Sequence, residues 1–123
     1  MTHLPPPTDD IAGLVEAIGA EAALRLFEQR GGTRLYVASP EKGDAIVEML
    51  GLDAATRLHA KYGRGDMRVP LARSWRVLCY IAIGLSGPKA ALKAGCTEKN
   101  VAAILKRHGR PAIQQLDLFA RSA

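Results

Sequence analysis

Between Glu98 and Arg107, side chains with hydrogen-bonding ends alternate with apolar ones at helical spacing. Thr97, Lys99, Asn100, Ala103 and Lys106 fall on one side of such a helix, and Val101, Ile104 and Leu105 on the other. The chemistry open to the polar side is recognition rather than bond-making. The Asn100 amide can engage N6 and N7 of adenine together, and the Lys99 ammonium can reach O6 and N7 of guanine. Glu98 could accept from N4 of cytosine, but in a first helical turn its better role is to offset the positive helix end. Cations able to meet phosphates stand around this stretch: Arg73, Arg76, Lys89, Lys93, Arg107 and Arg110. A solvated surface charge is the ordinary reading of any one of them. The group is what points to a polyanion.

Those residues need a scaffold, and the run GPKAALKAGCTEKNVAAILKRH from Gly87 to His108 supplies one. Ala91 falls mid-helix, where a larger side chain would push two helices apart. Gly95 comes four residues later, where the chain leaves a helix at positive φ without a Cβ clash. Thr97 then offers a hydroxyl to the free N–H groups of the next helix. Two helices joined by such a short turn form the unit that lays its second helix in the DNA major groove. A glycine corner between helices also occurs in ordinary helical domains, and charge separates the readings. Residues 1–63 hold six Lys/Arg against nine Asp/Glu, and residues 64–123 hold eleven against three, nets of −3 and +8. An acidic half followed by a basic half suggests double-stranded DNA as partner of the second.

At 123 residues the chain allows one domain or two very small lobes. Aromatic residues make up only 5%, so a core must come mainly from Leu, Ile, Val and Ala. Cys79 and Cys96 are too few for a disulfide framework and lack zinc-ligand spacing; both read as small packing residues. His3, His59 and His108 are scattered without acid/base or metal spacing, and His59 reads as a partly buried histidine. No phosphate loop, H-E-x-x-H, C-x-x-C or nucleophile elbow is present, so neither an enzyme nor a cofactor or metal is expected. No apolar run approaches membrane-span length. The opening MTHLPPPTDD has neither a basic n-region nor an apolar h-region, which makes a cytoplasmic location the expectation.

Along the chain, residues 1–9 read as a flexible Pro-rich lead-in, with Thr8 or Asp9 capping the first helix. From Asp10 to about Gln29, Ile11, Leu14, Val15, Ile18, Ala22 and Leu26 keep one helical period, with Phe27 widening the stripe. Gly31-Gly32 stops it. A short strand follows near 33–38, alternating Leu35 and Val37 against Arg34 and Tyr36. A second helical region spans 41–63 with a bend at Gly51. A second strand near 67–71 contains Pro70, which cannot donate to a ladder. A lone ribbon of two short strands is unstable, so it needs packed helices or the same strands from a second subunit. The latter is a soft argument for a homodimer. From Arg73 to Leu85 the run reads as a buried helix. The expected class is therefore mostly α with a small two-stranded β-element: an N-terminal helical dimerisation domain over 10–72, a helix-turn-helix domain over 73–109 and a tail over 110–123.

Read in order, the helix, the strand of Gly31-Gly32-x-Arg34-x-Tyr36-Val37 with Leu35, a helix, the strand Arg68-Val69-Pro70-Leu71, then Arg76, Ala91, Gly95, Val101 and Ile104 resemble the Mor/C transcription activator family of Mu-like phages. The resemblance covers roughly residues 10–108. It implies an intertwined homodimer, with an N-terminal dimerisation domain joined through a small β-element to C-terminal helix-turn-helix domains. It further implies activation of phage or prophage promoters by DNA binding and contact with RNA polymerase, in the nucleoid of a bacterial host cell. Two features depart from the pattern. The first strand ends in Val37-Ala38 where the family often has proline, and Gly87-Pro88 opens the first helix of the motif, where Pro suits the N1 position.

The tail carries a separate signal. Gln115, Leu116, Asp117, Leu118 and Phe119 resemble the pentapeptide through which bacterial replication and repair proteins bind the sliding clamp. Leu118 and Phe119 would fill an apolar pocket and Gln115 would make polar contacts at its rim. The other reading is an amphipathic tail folded back on the domain or its dimer mate, with Leu116, Leu118 and Phe119 as packing. A DNA-bound adaptor recruited to the clamp is thus the alternative to an activator.

Overall fold

A computed structural model describes residues 4–40 and 45–113. The chain is mostly helical with one small two-stranded antiparallel sheet. It divides into two units: Pro7–Ala72, and the residues from Arg73 onward together with those up to Pro6. Among the described residues no helix is long and apolar enough to cross a membrane.

The Pro7–Ala72 unit opens with a single tight turn, Asp9–Ile11, that runs into α1 (Ala12–Ile18). The Thr8 hydroxyl bonds the Asp10 carboxylate and caps no backbone N–H, so the side-chain cap expected at Thr8 or Asp9 is absent. Nor is there one helix from residue 10 to 29. Gly19, at φ 91° and ψ 153°, ends α1 and starts α2 (Ala20–Arg30). This region of φ/ψ space is nearly closed to residues with a Cβ. The expected bend at Gly51 is likewise a full break, at φ 88° and ψ 156°, between α3 (Ala45–Leu50) and α4 (Leu52–Tyr62). The apolar stripe runs unbroken through Gly19 in sequence because the buried Leu14, Ile18, Ala22 and Leu26 keep their spacing on both sides of the break.

The strands are β1 (Arg34–Val37) and β2 (Gly65–Arg68), paired so that Leu35 faces Met67 and Arg34 faces Arg68. As expected from the alternation, Leu35 and Val37 are buried while Arg34 and Tyr36 are exposed. The second strand begins two residues earlier than its sequence suggested and stops before Pro70, which has no N–H to donate. Backbone pairing nevertheless continues one step, with Val69 N–H donating to Thr33 O and Gly32 N–H to Val69 O, each at 2.8 Å.

The unit is built from one pattern used twice. A short helix, a glycine near φ 90°, an 11-residue helix, a glycine and a strand occur first as α1–Gly19–α2–Gly31–β1 and again as α3–Gly51–α4–Gly63–β2. Shifted by 32 residues, positions 14–37 and 46–69 share nine identities: Val15/Val47, Glu16/Glu48, Gly19/Gly51, Ala22/Ala54, Ala23/Ala55, Arg25/Arg57, Leu26/Leu58, Gly31/Gly63 and Val37/Val69. The backbone follows suit. Gly19 N–H donates to Val15 O as Gly51 N–H does to Val47 O, and Gly31 N–H to Phe27 O as Gly63 N–H does to His59 O. Leu35 and Met67 occupy equivalent places in the two copies and are also cross-strand partners. The local dyad therefore passes between them. The buried Leu14/Ile46, Ile18/Leu50, Ala22/Ala54 and Leu26/Leu58 pairs form the core shared by the copies. Arg25 adds a cross-link, its Nε donating to Met49 O (3.1 Å) and its Nη2 to Leu50 O (3.3 Å), the last carbonyls of α3.

The other unit holds α5 (Arg73–Ala82), α6 (Gly87–Ala94) and α7 (Glu98–His108), each packed on the other two. Every residue of α5 from Trp75 to Ala82 is buried, as a helix enclosed on all sides must be. Trp75 also donates its indole N–H to Pro5 O at 2.9 Å. Residues 4–6, expected within a loose lead-in, thus have a defined anchor in this unit.

Candidate nucleic-acid interface

The exposed basic surface rests on two capped helices. Ser86 starts α6, its hydroxyl oxygen accepting from Lys89 N–H at 3.3 Å, and Pro88 fits the first turn, where its missing donor costs nothing. Gly95 leaves α6 in the left-handed region at φ 74° and ψ 40°. Cys96 N–H then bonds Ala91 O at 2.9 Å, closing a Schellman-type end. Two residues on, Thr97 Oγ1 accepts from Asn100 N–H at 3.0 Å and starts α7. The turn between the two helices is therefore only Gly95-Cys96-Thr97. Ala90, Ala91 and Ala94 are buried, and their small size lets α6 lie close against its neighbours.

Arginines from α5 hold that turn. Arg76 is 8% exposed; its Nη2 donates to Lys93 O at 2.9 Å and its Nε to the Tyr80 hydroxyl at 3.1 Å. Arg73 Nε donates to Ala94 O at 3.3 Å. Both cations thus satisfy the last carbonyls of α6 and oppose its negative end. The structure corrects the phosphate assignment of Arg76, because its guanidinium is buried and engaged within the unit. The half-buried Arg73 shares that positioning role. The sequence signal was available: Arg76 is the one charge inside an eight-residue run with no solvent face, and Tyr80 stands four residues on, within reach along the helix.

On α7, Val101 and Ile104 are buried and Leu105 half-buried. Lys99, Asn100, Ala103, Lys106 and Arg107 are all exposed. At 100° per residue these five fill a continuous arc of about 120°, its middle about 130° around the helix from the buried Val101 and Ile104. Ala103 lies near its middle, so a flat partner can approach the helix backbone closely, with amide and cationic groups on either side. Thr97, exposed and placed before the helix as its N-cap, lies off this arc, on the Ile104 side. Its oxygen is used as the cap, while its proton remains available to an acceptor. Glu98 lies in the first turn, beside the positive helix end.

Of the other basic candidates, Lys89 is exposed on α6 and Arg110 is exposed beyond α7. Lys93 is exposed with its Nζ 5.4 Å from the Tyr80 ring centroid. Arg57 pairs with Asp53 on α4, whereas Lys99, Lys106 and Arg107 on α7 pair with no carboxylate among the described residues. Leu92 is 84% exposed on α6 between Lys89 and Lys93, a large apolar side chain that the sequence reading did not single out. Cys79 is buried as expected, and Cys96 is half-buried in the turn. Gln115, Leu116, Asp117, Leu118 and Phe119 lie outside the described residues. No family model, curated protein or solved structure matches this chain.

Proposed function

We propose that the chain is a sequence-specific DNA-binding transcription regulator, with α6 and α7 acting as a helix-turn-helix and α7 as the helix that enters the major groove. The observation that carries this reading is the α7 arc: an amide and cations with no paired carboxylate, arranged around a small residue on a helix whose start is fixed by a side-chain cap. Asn100 and Lys99 read base edges near the helix start. Lys89, Lys93, Arg107 and Arg110 contact phosphates and supply most of the affinity, with its steep dependence on salt. Arg73 and Arg76 position the turn rather than touch DNA.

The resemblance to the Mor/C activators extends the proposal to a phage or prophage promoter, bound in a bacterial cytoplasm by a homodimer formed through Pro7–Ala72. Exposed Tyr36, Leu52, Tyr62 and Leu71 in that unit favour self-association. Exposed Leu92 is the apolar side chain offered to RNA polymerase. The deciding experiment selects bound sequences from random duplex DNA at near-physiological salt, with the solution mass recorded. A paired half-site bound by a dimer is expected. In the same format, Asn100→Ala relaxes base preference by about 1–3 kcal/mol at one position, whereas Lys89→Ala weakens all sequences alike and lowers the salt slope by about one. Equal effects of both variants on selected and random DNA would refute the assignment of α7.

A second reading rests on the tail sequence alone. Gln115-Leu116-Asp117-Leu118-Phe119 fits a sliding-clamp ligand at every position, which would make the chain a DNA-bound adaptor. Removing residues 114–123 abolishes clamp capture and spares DNA binding on that reading.

A further inference from the structure

The segment that follows α7 has properties the major-groove reading leaves unused. Gly109, at φ 85° and ψ 145°, turns the chain out of the helix after its N–H bonds Leu105 O. Pro111 removes one backbone donor and holds the preceding Arg110 extended. Residues 109–113 accordingly form neither helix nor strand. Arg110 is exposed, and its guanidinium makes no hydrogen bond or ion pair with a described residue. At the far end Ile113 passes beside Gly84, where an added Cβ would meet its Cγ2 at 3.8 Å, and keeps 49% of its surface exposed. Arg110 therefore sits on a short extended span tied to the end of α7 and stiffened by Pro111, and a restricted backbone lowers the entropic cost of binding.

Charge and length then say where this span goes. Lys106, Arg107, His108 and Arg110 crowd five residues, and no carboxylate occurs from Lys99 through Leu116. α7 is 11 residues long, or about 16 Å, against a major groove about 12 Å wide. A helix entering by its first turn brings Arg107 to the groove wall and carries Arg110 past it, to the adjoining minor groove. There an extended Gly-Arg-Pro backbone is slim enough to follow the groove. A narrow A·T minor groove concentrates negative potential and draws in guanidinium groups.

We infer that Arg110, presented by the Gly109–Pro111 span, is a minor-groove reader that selects A·T pairs flanking the site contacted by α7. This rests on the DNA-binding reading above and replaces the phosphate role given to Arg110 there with base-step discrimination.

The test uses the full chain and three short duplexes of equal length, composed of A·T, G·C or inosine·cytosine pairs. Inosine·cytosine shows the minor-groove face of A·T and the major-groove face of G·C, so it reports which groove is read. By fluorescence anisotropy at near-physiological salt, the chain binds the A·T and inosine·cytosine duplexes about tenfold more tightly than G·C, within the cost of one mismatched pair. Arg110→Ala, at an exposed position with no bonded partner, keeps its circular dichroism and binds all three alike. Arg110→Lys holds general affinity but loses most of the preference, since an ammonium is more strongly hydrated than a guanidinium. A preference that survives in Arg110→Ala overturns the inference, as does inosine·cytosine behaving like G·C. Equal binding of all three duplexes by the unaltered chain overturns it too, and leaves Arg110 a phosphate contact with the DNA-binding reading intact. Failure to bind any duplex overturns both.

Discussion

In Pro7–Ala72 the long helices α2 and α4 begin at Gly19 and Gly51, with no side chain accepting from their first N–H groups. In the other unit α6 and α7 begin at Ser86 and Thr97, whose hydroxyl oxygens do accept. The helix ends, by contrast, are treated alike. Arg25 covers the last carbonyls of α3 as Arg73 and Arg76 cover those of α6. A glycine break turns a chain back on its own core, and the burial of Leu14/Ile46 and Leu26/Leu58 decides where the helices lie. A hydroxyl cap fixes the first turn of a helix whatever it packs against. That is the device to use where the first turn must face something outside the molecule. The charge follows the same division, with eight Lys/Arg against ten Asp/Glu in residues 7–72 and nine against two in residues 73–123.

The largest effects should come from the duplicated core. Leu26 and Leu58 are equivalent and both fully buried. Leu26→Ala and Leu58→Ala should each cost about 2–5 kcal/mol. Trp75 is the one tryptophan of the chain and lies in the other unit, so ellipticity and indole emission in urea report differently on the two. The expected outcome is an ellipticity midpoint that moves further than the emission midpoint. Coincident shifts would mean that the two units unfold together and that the contrast drawn between them is only local.

Next in size is Arg76. Arg76→Met removes both its hydrogen bonds and should cost about 2–4 kcal/mol, read by Trp75 emission in urea. Arg76→Lys restores the charge but not the planar fork, so it should recover less than half of the loss. The salt slope of DNA binding should stay unchanged in whatever fraction remains folded. A phosphate-contacting Arg76 would do the reverse, lowering the slope without moving the urea midpoint.

How far the sequence disclosed all this depends on the kind of physics involved. Gly95, Thr97 and the Val101/Ile104 stripe are single-residue or short-period signals, and they were readable directly. The Gly19 break was hidden because the apolar spacing is the same on both sides of it. Self-alignment would have exposed it, since Val15-Glu16, Gly19, Ala22-Ala23, Arg25-Leu26 recur 32 residues later. Arg76 looked like a surface cation because charge was counted along the chain, whereas its place is set by a helix with no exposed side. The arc on α7 was legible as a face. That Ala103 sits at its middle, and that Arg107 belongs to it, emerged only once the helix ends were fixed.

Thr97→Ala gives the smallest effect and the sharpest comparison. Losing either hydroxyl cap should cost about 1 kcal/mol of stability, so Thr97→Ala and Ser86→Ala should look alike in urea. On DNA they should part. Thr97 Oγ1 holds Asn100 N–H, and fraying that turn loosens both Lys99 and Asn100, the two proposed base readers. Ser86 Oγ holds Lys89 N–H, a turn that carries only a proposed phosphate contact. Thr97→Ala should therefore narrow the gap between selected and random duplexes, while Ser86→Ala should leave the gap unchanged. Thr97→Ser, which keeps the acceptor, should restore it. If both alanine variants narrow the gap equally, the caps serve only to hold the helices together. The first turn of α7 would then have no special claim as the reading edge.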